Sequence, residues 1–186
     1  DLLIQSKNLR EEEMQLIEQL STALQKLSHL NRSLLLLSKI ENKQFAELEN
    51  VSVRDVLDNS ISLYENGITS KEISVERNYL REPVISINRG LCEILINNLI
   101  QNAVRHNVTG GFIWIKLEEA KLIIENTGPT IEYPTTIFER FSRSDKSINS
   151  IGLGLALVRE ISNVSGLTVT YHLKNDKNCF TLLFKV

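Results

Sequence analysis

The sequence predicts a mixed α/β (α+β) domain that follows one long amphipathic helix. Two observations carry this prediction. Between about residues 8 and 45 there is neither Gly nor Pro, and leucines recur at seven-residue spacing. From Glu47 onward, short segments with alternating apolar residues are separated by turn residues and by helical segments. We therefore expect two regions, residues 1–46 and residues 47–186.

The composition excludes several classes of protein. At 186 residues with 42% hydrophobic content, the chain has room for one ordinary core and an appendage. Its 21 basic and 23 acidic residues give a net charge of −2, so no nucleic-acid partner is indicated. Two cysteines without a C-x-x-C pair and three scattered histidines give no metal-ligand spacing. We expect both thiols, Cys92 and Cys179, to be reduced core residues of a cytoplasmic protein.

The sequence contains no apolar run of membrane-spanning length and no signal-like start. Any membrane attachment is therefore expected only through parts of a parent protein outside this sequence. Because the chain begins at Asp1 and not at Met, we expect it to be a piece of a longer protein.

The long N-terminal helix is expected to form part of a dimer. One row of leucines consists of Leu20, Leu27 and Leu34, and a second row consists of Leu16, Leu30 and Leu37. Together these rows make an apolar stripe that is too wide to face solvent. Since the rest of the sequence supplies no second helix of similar length, we expect two copies of the chain to bury the stripe between them.

The region from Glu47 is predicted to alternate between strands and helices. Ser52 is a suitable N-cap for a helix from Val53 to Tyr64 that is closed by Gly67. A second helix spans residues 91–107, a third follows Gly152, and the polar segment 142–150 predicts a loop. The predicted strands are residues 47–53, 72–77, 83–87, 112–117, 121–125, 167–173 and 179–186, of which the fourth and fifth form a hairpin.

The helix over residues 91–107 has chemistry on one face and core on the other. Asn98, Asn102 and Arg105 fall within roughly 60° of one another at 100° per residue, away from an apolar face. Asparagine is a mediocre helix former, so two of them one turn apart favour a ligand. Carboxamide oxygens can ligate Mg²⁺, and an arginine can offset phosphate charge. A solvated polar face is the alternative interpretation of this helix alone. The apolar face consists of Cys92, Ile96, Leu99, Ile100 and Ala103.

Two glycine-containing segments mark a helix start and a turn. Gly152 and Gly154 precede a helix, whose N-terminus presents free N–H groups and a positive dipole end to an anion. Gly128 follows Asn126 in a turn, where a glycine permits close approach of the backbone. Taken singly, each glycine is also compatible with an ordinary turn or helix entry.

Taken in order, four segments resemble the sequence boxes of the ATP-binding domain of sensor histidine kinases, the kinases of bacterial two-component systems. This domain belongs to the same superfamily as gyrase and Hsp90. The resemblance covers residues 47–186 and implies a two-layer α/β sandwich. The end of the long helix resembles the second helix of the family's dimerisation and phosphotransfer domain. The four segments are Asn98–His106 (N box), Asn126-x-Gly128 (first glycine box), Phe138–Phe141 (F box) and Gly152–Leu155 (second glycine box).

The resemblance implies a role for each site residue. Asn102 would ligate Mg²⁺ with Asn98 beside it, Arg105 would contact phosphate, and His106 would lie near the ribose or adenine. Asn126 would face the adenine amino group, and Gly128 would let the backbone approach the base. The helix start formed by Gly152, Leu153, Gly154 and Leu155 would hold the phosphates.

Three departures from the family pattern concern the affinity for nucleotide. Asn126 stands where the family usually has Asp, Thr130 replaces a second glycine, and Ser150 replaces the first glycine of the lid motif. Asn126 can still accept a hydrogen bond through its carbonyl oxygen, but it lacks charge. We therefore expect weaker binding of adenine than the family pattern would give.

The resemblance implies a protein-histidine kinase that works with ATP and Mg²⁺, as the cytoplasmic portion of a membrane-bound sensor. The phosphoryl group would pass to a histidine and then to an aspartate on a response regulator. None of His29, His106 and His172 has the sequence context of the family's acceptor histidine. We therefore expect the acceptor to lie outside this sequence, and we expect the chain alone not to autophosphorylate.

Two other functions remain open from the sequence. The first is an ATP-hydrolysing switch like gyrase or Hsp90, but these relatives place a glutamate base where this chain has Asn98, and a carboxamide cannot activate water. The second is a nucleotide-binding module that has lost catalysis, which the changes at Asn126, Thr130 and Ser150 keep possible. Titration with a fluorescent ATP analogue, with and without Mg²⁺, tests whether the chain binds nucleotide and so separates these possibilities.

Overall fold

The computed structural model describes residues 11–42, 44–131, 134–142 and 152–184. Within these residues the chain forms helices and strands in the mixed order that the sequence predicts. The helices are α1 (Glu11–Glu41), α2 (Val53–Leu63), α3 (Glu65–Ser70), α4 (Arg89–Arg105) and α5 (Gly154–Val164). The strands are β1 (Glu49–Ser52), β2 (Ser74–Tyr79), β3 (Val84–Ile87), β4 (Phe112–Leu117), β5 (Lys121–Asn126), β6 (Thr168–Lys174) and β7 (Lys177–Leu183).

The main sheet has five strands in the order β2-β4-β5-β7-β6. Strand β2 is parallel to β4, and the other neighbours are antiparallel. The predicted hairpin is confirmed, with Leu117 opposite Leu122 at its closed end. Strands β1 and β3 pair separately as an antiparallel two-stranded sheet beside the start of α2.

The core lies between one face of the main sheet and the helices. Strands β4 and β5 alternate strictly between buried and half-buried or exposed residues, because successive side chains point to opposite faces of a sheet. Helix α4 packs against α2, α5 and strand β5, and α5 also packs against β6. This is the predicted two-layer α/β sandwich.

The predicted N-cap of α2 is confirmed, but the predicted end of this helix is wrong. The side chain of Ser52 accepts a hydrogen bond from the main-chain N–H of Asp55 at 3.3 Å. The helix ends at Leu63, and Gly67 lies inside α3. A Cβ atom on Gly67 would be 3.2 Å from a methyl carbon of Val104. The glycine therefore lets α3 approach α4 closely and does not close α2.

Helix α1 ends at Glu41, and its last turns pack on this chain's own domain. Leu37 and Ile40 are each 1% exposed and belong to the same core as the sandwich, with α5 as the helix that α1 contacts. The prediction that Leu37 belongs to the leucine stripe buried against a second copy of the chain is therefore wrong. The leucines of α1 that remain exposed are Leu16, Leu20, Leu24, Leu27, Leu34 and Leu35.

Candidate functional site

Helix α4 places the predicted polar face toward the edge of the core. The side chain of Asn88 caps the helix, accepting from the N–H of Leu91 at 3.2 Å, and its amide donates to the Glu47 carbonyl at 3.1 Å. The helix then runs to Arg105, with His106 as its C-cap. The half-buried polar side chains on this helix include Asn98, Asn102 and Arg105, whereas eight residues are buried in the core. These are Leu91, Cys92, Leu95, Ile96, Leu99, Ile100, Ala103 and Val104.

Asn98 lies directly against the first residue of α5. Its amide nitrogen donates to the Ile94 carbonyl at 2.7 Å, which holds the side chain in one orientation. Its carboxamide oxygen is 2.7 Å from the point that a Cβ atom on Gly154 would occupy. Only a glycine at this position lets the helix start come so close to Asn98.

The N-terminus of α5 is not capped by a side chain. Its N-cap residue is Leu153, which makes no capping hydrogen bond and whose side chain is buried in the core. An α-helix leaves its first N–H groups without partners in the helix, and these groups with the helix dipole favour an anion. Any contact of Leu153 with phosphate would therefore come from its main chain. Leu155 is half-buried and packs against the core.

The turn after β5 touches the other end of α4. Gly128 has φ of +146°, a conformation that side-chain-bearing residues rarely adopt. A Cβ atom there would be 2.1 Å from the main-chain oxygen of His106. The start of α5 thus lies against the middle of α4, and the turn that contains Gly128 lies against its C-terminal end.

Asn126 carries a buried acceptor without a partner. The residue is 1% exposed, and its amide nitrogen donates to the carbonyl oxygen of Thr127 at 2.7 Å. Its carboxamide oxygen is buried and has no hydrogen-bond partner among the described residues. Exchanging the nitrogen and oxygen would place two acceptors against each other at Thr127, so the observed orientation is the favoured one. A buried acceptor left in this way costs about 1–3 kcal/mol, which a donor group on a ligand would recover.

A hydrogen-bond network that sequence reasoning missed surrounds this turn. The buried side chain of Asn107 accepts from the Thr127 hydroxyl at 2.6 Å and from the N–H of Val108 at 3.0 Å. Its amide donates to the Phe112 carbonyl at 3.1 Å, and the Phe112 N–H donates to the Thr127 hydroxyl at 2.8 Å. The network ties the end of α4 to the first glycine box. A lone asparagine just past a helix gave no periodic signal that would have marked it.

The F-box segment connects the site to two other elements. Phe138 packs edge-on against Phe180, with ring centroids 6.4 Å apart. The guanidinium of Arg140 forms an ion pair with Glu41, the last residue of α1. The N–H of Phe141 donates to the Gly152 carbonyl at 2.8 Å, so the two flanks of segment 143–151 meet. That segment, which includes Ser150 and most of the predicted loop, lies outside the described residues.

Among the predicted site residues, Arg105 carries a positive charge, and the asparagine side chains are neutral. Partial burial lowers the pKa of Arg105 from its ordinary value, which still leaves the guanidinium charged at neutral pH. In the described part of the chain, no three His, Cys, Asp or Glu side chains are grouped as a metal site would require. A cation bound here would therefore be held by carboxamide oxygens together with oxygens of its own ligand.

These features define an α/β domain built to bind an anionic ligand that also carries a hydrogen-bond donor. The chain belongs to the histidine kinase-, DNA gyrase B- and HSP90-like ATPase family, whose model matches residues 88–186. Members of this family bind ATP. Because the match covers more than half of the chain, and includes all of the predicted site residues, the resemblance stated from the motifs is confirmed.

Two proteins with similar sequences are named as sensors. The heme sensor protein HssS of Staphylococcus saprophyticus is 30% identical over 92% of this chain and 39% of its own length. The sensor histidine kinase HprS of Escherichia coli is 29% identical over 86% of this chain and 36% of its own length. The chain thus spans less than two fifths of the length of these relatives.

Solved structures of histidine kinases share the fold. The kinase AdeS of Acinetobacter baumannii has a TM-score of 0.75 at 24% identity, covering 99% of this chain and 89% of that one. Full-length ShkA in complex with AMPPNP has a TM-score of 0.76 at 21% identity, covering 100% of this chain and 42% of that one. No helix in the described part of the chain combines the length and apolarity that a bilayer span requires.

Proposed function

We propose that this chain is the ATP-binding catalytic core of a sensor histidine kinase. It transfers the γ-phosphate of ATP to a histidine outside residues 1–186, and from there the group passes to an aspartate of a response regulator. The observation that carries the proposal is the position of the Asn98 carboxamide against the uncapped start of α5. The name of the relative HprS, a sensor histidine kinase, supports the same proposal.

In this proposal the base lies at the C-terminal end of α4, and the phosphates lie nearer the middle of this helix. The unpartnered oxygen of Asn126 accepts from the adenine amino group, and the backbone at Gly128 approaches the base. The free N–H groups at the start of α5, together with Arg105, bind the phosphates. His106, the C-cap of α4, lies at the base end of the site, near the ribose or adenine. The main chain of Gly152 and Gly154 brings the lid flank and the helix start to the phosphates.

The donor set fits a magnesium ion that is held mainly by the nucleotide. Asn102 would hold Mg²⁺ with Asn98 beside it, because the two carboxamides lie one helical turn apart on α4 and the Asn98 oxygen lies against the start of α5. When bound, the ion neutralises charge on the phosphate oxygens during phosphoryl transfer. The residues of the chain orient the phosphates, and the start of α5 supplies N–H donors to the transferring group.

Hydrolysis of ATP is less well supported than transfer to a protein. A water molecule needs a general base to become a nucleophile, and the side chain at the start of α5 is the carboxamide of Asn98. A histidine imidazole is itself a nucleophile and needs no such base from this domain. The same carboxamide therefore favours a kinase over an ATPase switch.

The proposed partner of helix α1 is a second copy of the chain, because this helix has two separate apolar faces. Leu16, Leu20, Leu27 and Leu34 lie within roughly 40° on a helical wheel, and the face that contacts α5 is centred roughly 110° away. A second copy can therefore pack on the exposed leucines without displacing the domain. Residues 1–46 form the dimerising region and residues 47–186 the catalytic domain. The parent protein is a membrane-bound sensor, with this chain in the cytoplasm.

A response regulator is the proposed acceptor beyond the histidine. The kinase ThkA, whose structure is described as a complex with the response regulator TrrA, has a TM-score of 0.68 at 19% identity to this chain. That likeness establishes the fold alone. A response regulator is proposed because a histidine kinase requires an aspartate that receives the phosphoryl group.

The test combines nucleotide binding with phosphate transfer. The chain should bind a fluorescent ATP analogue more tightly with Mg²⁺ than with EDTA, and it should remain unlabelled after incubation with γ-labelled ATP. A longer protein that includes the sequence upstream of residue 1 should gain acid-labile label on histidine. Steady release of inorganic phosphate by the chain alone would identify an ATPase switch instead. Absence of nucleotide binding would identify a module that has lost its ligand.

A further inference from the structure

Lys71 belongs to none of the motifs above, yet its side chain reaches the end of the helix that carries Asn102. Lys71 is the C-cap of the short helix α3, and it is half-buried. Its ammonium donates to the main-chain oxygens of Val104, Arg105 and Asn107 at 3.2, 2.7 and 3.2 Å. One lysine therefore binds three of the four carbonyls of residues 104–107 around the C-terminus of α4, all except that of His106.

These contacts use the full donor capacity of the ammonium group, which is three hydrogens. Within the described ranges, Lys71 takes part in none of the ion pairs with carboxylates. The last carbonyls of a helix lack partners within it and carry the negative end of its dipole, so a cation is stabilising there. The main-chain oxygen of Lys71 also accepts from the N–H of Gly110 at 2.8 Å. Lys71 thus holds the connection from α4 to β4 at both of its ends.

The held segment is a wall of the proposed base site. Arg105 and Asn107 flank His106, whose carbonyl oxygen is 2.1 Å from the Cβ position of Gly128. A shift of His106 would therefore move the turn that follows Asn126. We infer that Lys71 is a positioning residue for the adenine end of the nucleotide site, an inference that rests on the proposed function. It acts through main-chain oxygens and does not touch the nucleotide.

The experiment compares Lys71→Met with two matched controls. Methionine keeps an apolar stem of similar length but removes all three donors. Lys174→Met removes an exposed lysine that pairs with Glu125, and Leu37→Ala destabilises the fold at a buried residue of α1, outside the segment that Lys71 holds. The dissociation constant for ADP is measured by calorimetry in Mg²⁺ and in EDTA, and amide hydrogen exchange is followed over residues 104–111.

Lys71→Met should weaken ADP binding by roughly ten-fold, which corresponds to about 1.4 kcal/mol. The factor should be the same in Mg²⁺ and in EDTA, because Lys71 contacts the end of α4, whereas the proposed Mg²⁺ side chains, Asn98 and Asn102, lie earlier in this helix. Exchange over residues 104–111 should accelerate, and Lys71→Arg should restore part of the affinity, since it keeps the charge with a different donor geometry. Lys174→Met should change none of these quantities, and Leu37→Ala should lower the melting temperature without changing the ADP affinity.

Unchanged ADP affinity in Lys71→Met, while the wild-type chain binds ADP, would overturn the inference and leave the proposed function intact. Equal weakening in Leu37→Ala would also overturn it, because the loss would then reflect general stability. Absence of ADP binding by the wild-type chain would overturn the proposed function and this inference with it. If Lys71→Met does not fold, Lys71→Gln, which keeps one donor group, takes its place in the same comparison.

Discussion

The carboxamide oxygen of Asn98 lies 2.7 Å from the point where a Cβ atom on Gly154 would stand. The two residues are far apart in sequence, on α4 and on the first position of α5. Their contact joins the N box to the second glycine box. Among the described residues, the Asn98 oxygen is the polar side-chain atom nearest that Cβ position, and the contact places it beside the N–H groups at the start of α5. Gly154 therefore matters because it lacks a Cβ atom, which leaves room for the Asn98 oxygen.

Substitution of Gly154 by Ala should displace Asn98 and impair the phosphate end of the site. The added methyl group falls well inside the contact distance of the carboxamide oxygen, whose partner nitrogen is held by Ile94. We expect the affinity for Mg-ATP to fall by roughly ten-fold or more, a loss of about 1.4 kcal/mol or more. The gain in affinity that Mg²⁺ provides should disappear. Calorimetric titration with ATP in Mg²⁺ and in EDTA measures both.

The matched control for this variant is Gly90→Ala, at the second position of α4. A Cβ atom there meets only the Asn88 oxygen, at an ordinary contact distance of 3.4 Å. Alanine is favoured over glycine in a helix by up to about 1 kcal/mol, so this variant should be at least as stable as wild type. If Gly154→Ala binds Mg-ATP as well as Gly90→Ala does, Asn98 and the start of α5 do not form the phosphate site.

The orientation of Asn126 predicts selectivity for the base. Adenine presents an amino group to the unpartnered oxygen, whereas hypoxanthine presents a carbonyl oxygen. Rotating the amide to meet that carbonyl would break its bond to Thr127. We expect ATP to bind roughly ten-fold more tightly than ITP or better, since a site that pairs with a polar group rejects an analogue that leaves it unpaired.

The variant Asn126→Ala should remove this selectivity. Loss of the acceptor should weaken ATP binding and leave ITP binding nearly unchanged, so the ratio of the two dissociation constants should approach one. The two nucleotides share sugar and phosphates, and the ratio therefore isolates the base. A wild-type ratio near one would mean that Asn126 does not meet the base, and the alignment of the first glycine box would need to be redrawn.

The fold could be predicted from the sequence where the information is local. The alternating residues of 112–117 and 121–125 and the short connection between them specify a hairpin, and Ser52 specifies a helix start. The strand order could not be predicted, because the placement of β2 beside β4 depends on contacts between segments distant in the chain. For the same reason, the separate pairing of β1 with β3 was not foreseen.

The sequence predicts a set of candidate site residues, but it does not predict the contacts that these residues make. Periodicity placed Asn98, Asn102 and Arg105 on one face, and the motifs marked the glycines. A lone Asn107 and a lone Lys71 carry no periodic signal, and their partners are main-chain groups that every residue possesses. The heptad rows of α1 likewise show that Leu37 is covered, but they do not show whether α5 or a second chain covers it.

The two faces of α1 predict opposite effects for two leucine substitutions. Leu37 is 1% exposed and Leu27 is 61% exposed. Leu37→Ala should lower the free energy of unfolding by about 2–5 kcal/mol, the usual cost of emptying a core site, and should not change the assembly state at fixed concentration. Leu27→Ala should change the unfolding of the domain little and should weaken dimers. Chemical denaturation and light scattering on both variants test this pair, and a monomeric wild-type chain would contradict the dimer proposal.

The buried thiol of Cys92 predicts a loss of stability at alkaline pH. Burial is the main reason that the pKa of Cys92 rises to about 12, with Glu93 adding to the rise and Arg89 opposing it. In the unfolded chain the thiol has its ordinary pKa of about 8.5. The folded state therefore disfavours the thiolate. The contribution of the buried neutral thiol to the free energy of unfolding is fully present below about pH 8.5 and is lost as the pH rises toward 12, by up to about 1.4 kcal/mol for each pH unit.

The variant Cys92→Ala lacks this group, and its free energy of unfolding should fall less steeply than that of wild type between pH 8 and about pH 10.5. Tyr64, Tyr79 and Tyr171, whose pKa values burial also raises, are present in both proteins and cancel in the difference. Urea denaturation across this range measures the difference, and parallel curves for the two proteins would mean that Cys92 ionises as readily in the folded state as in the unfolded one.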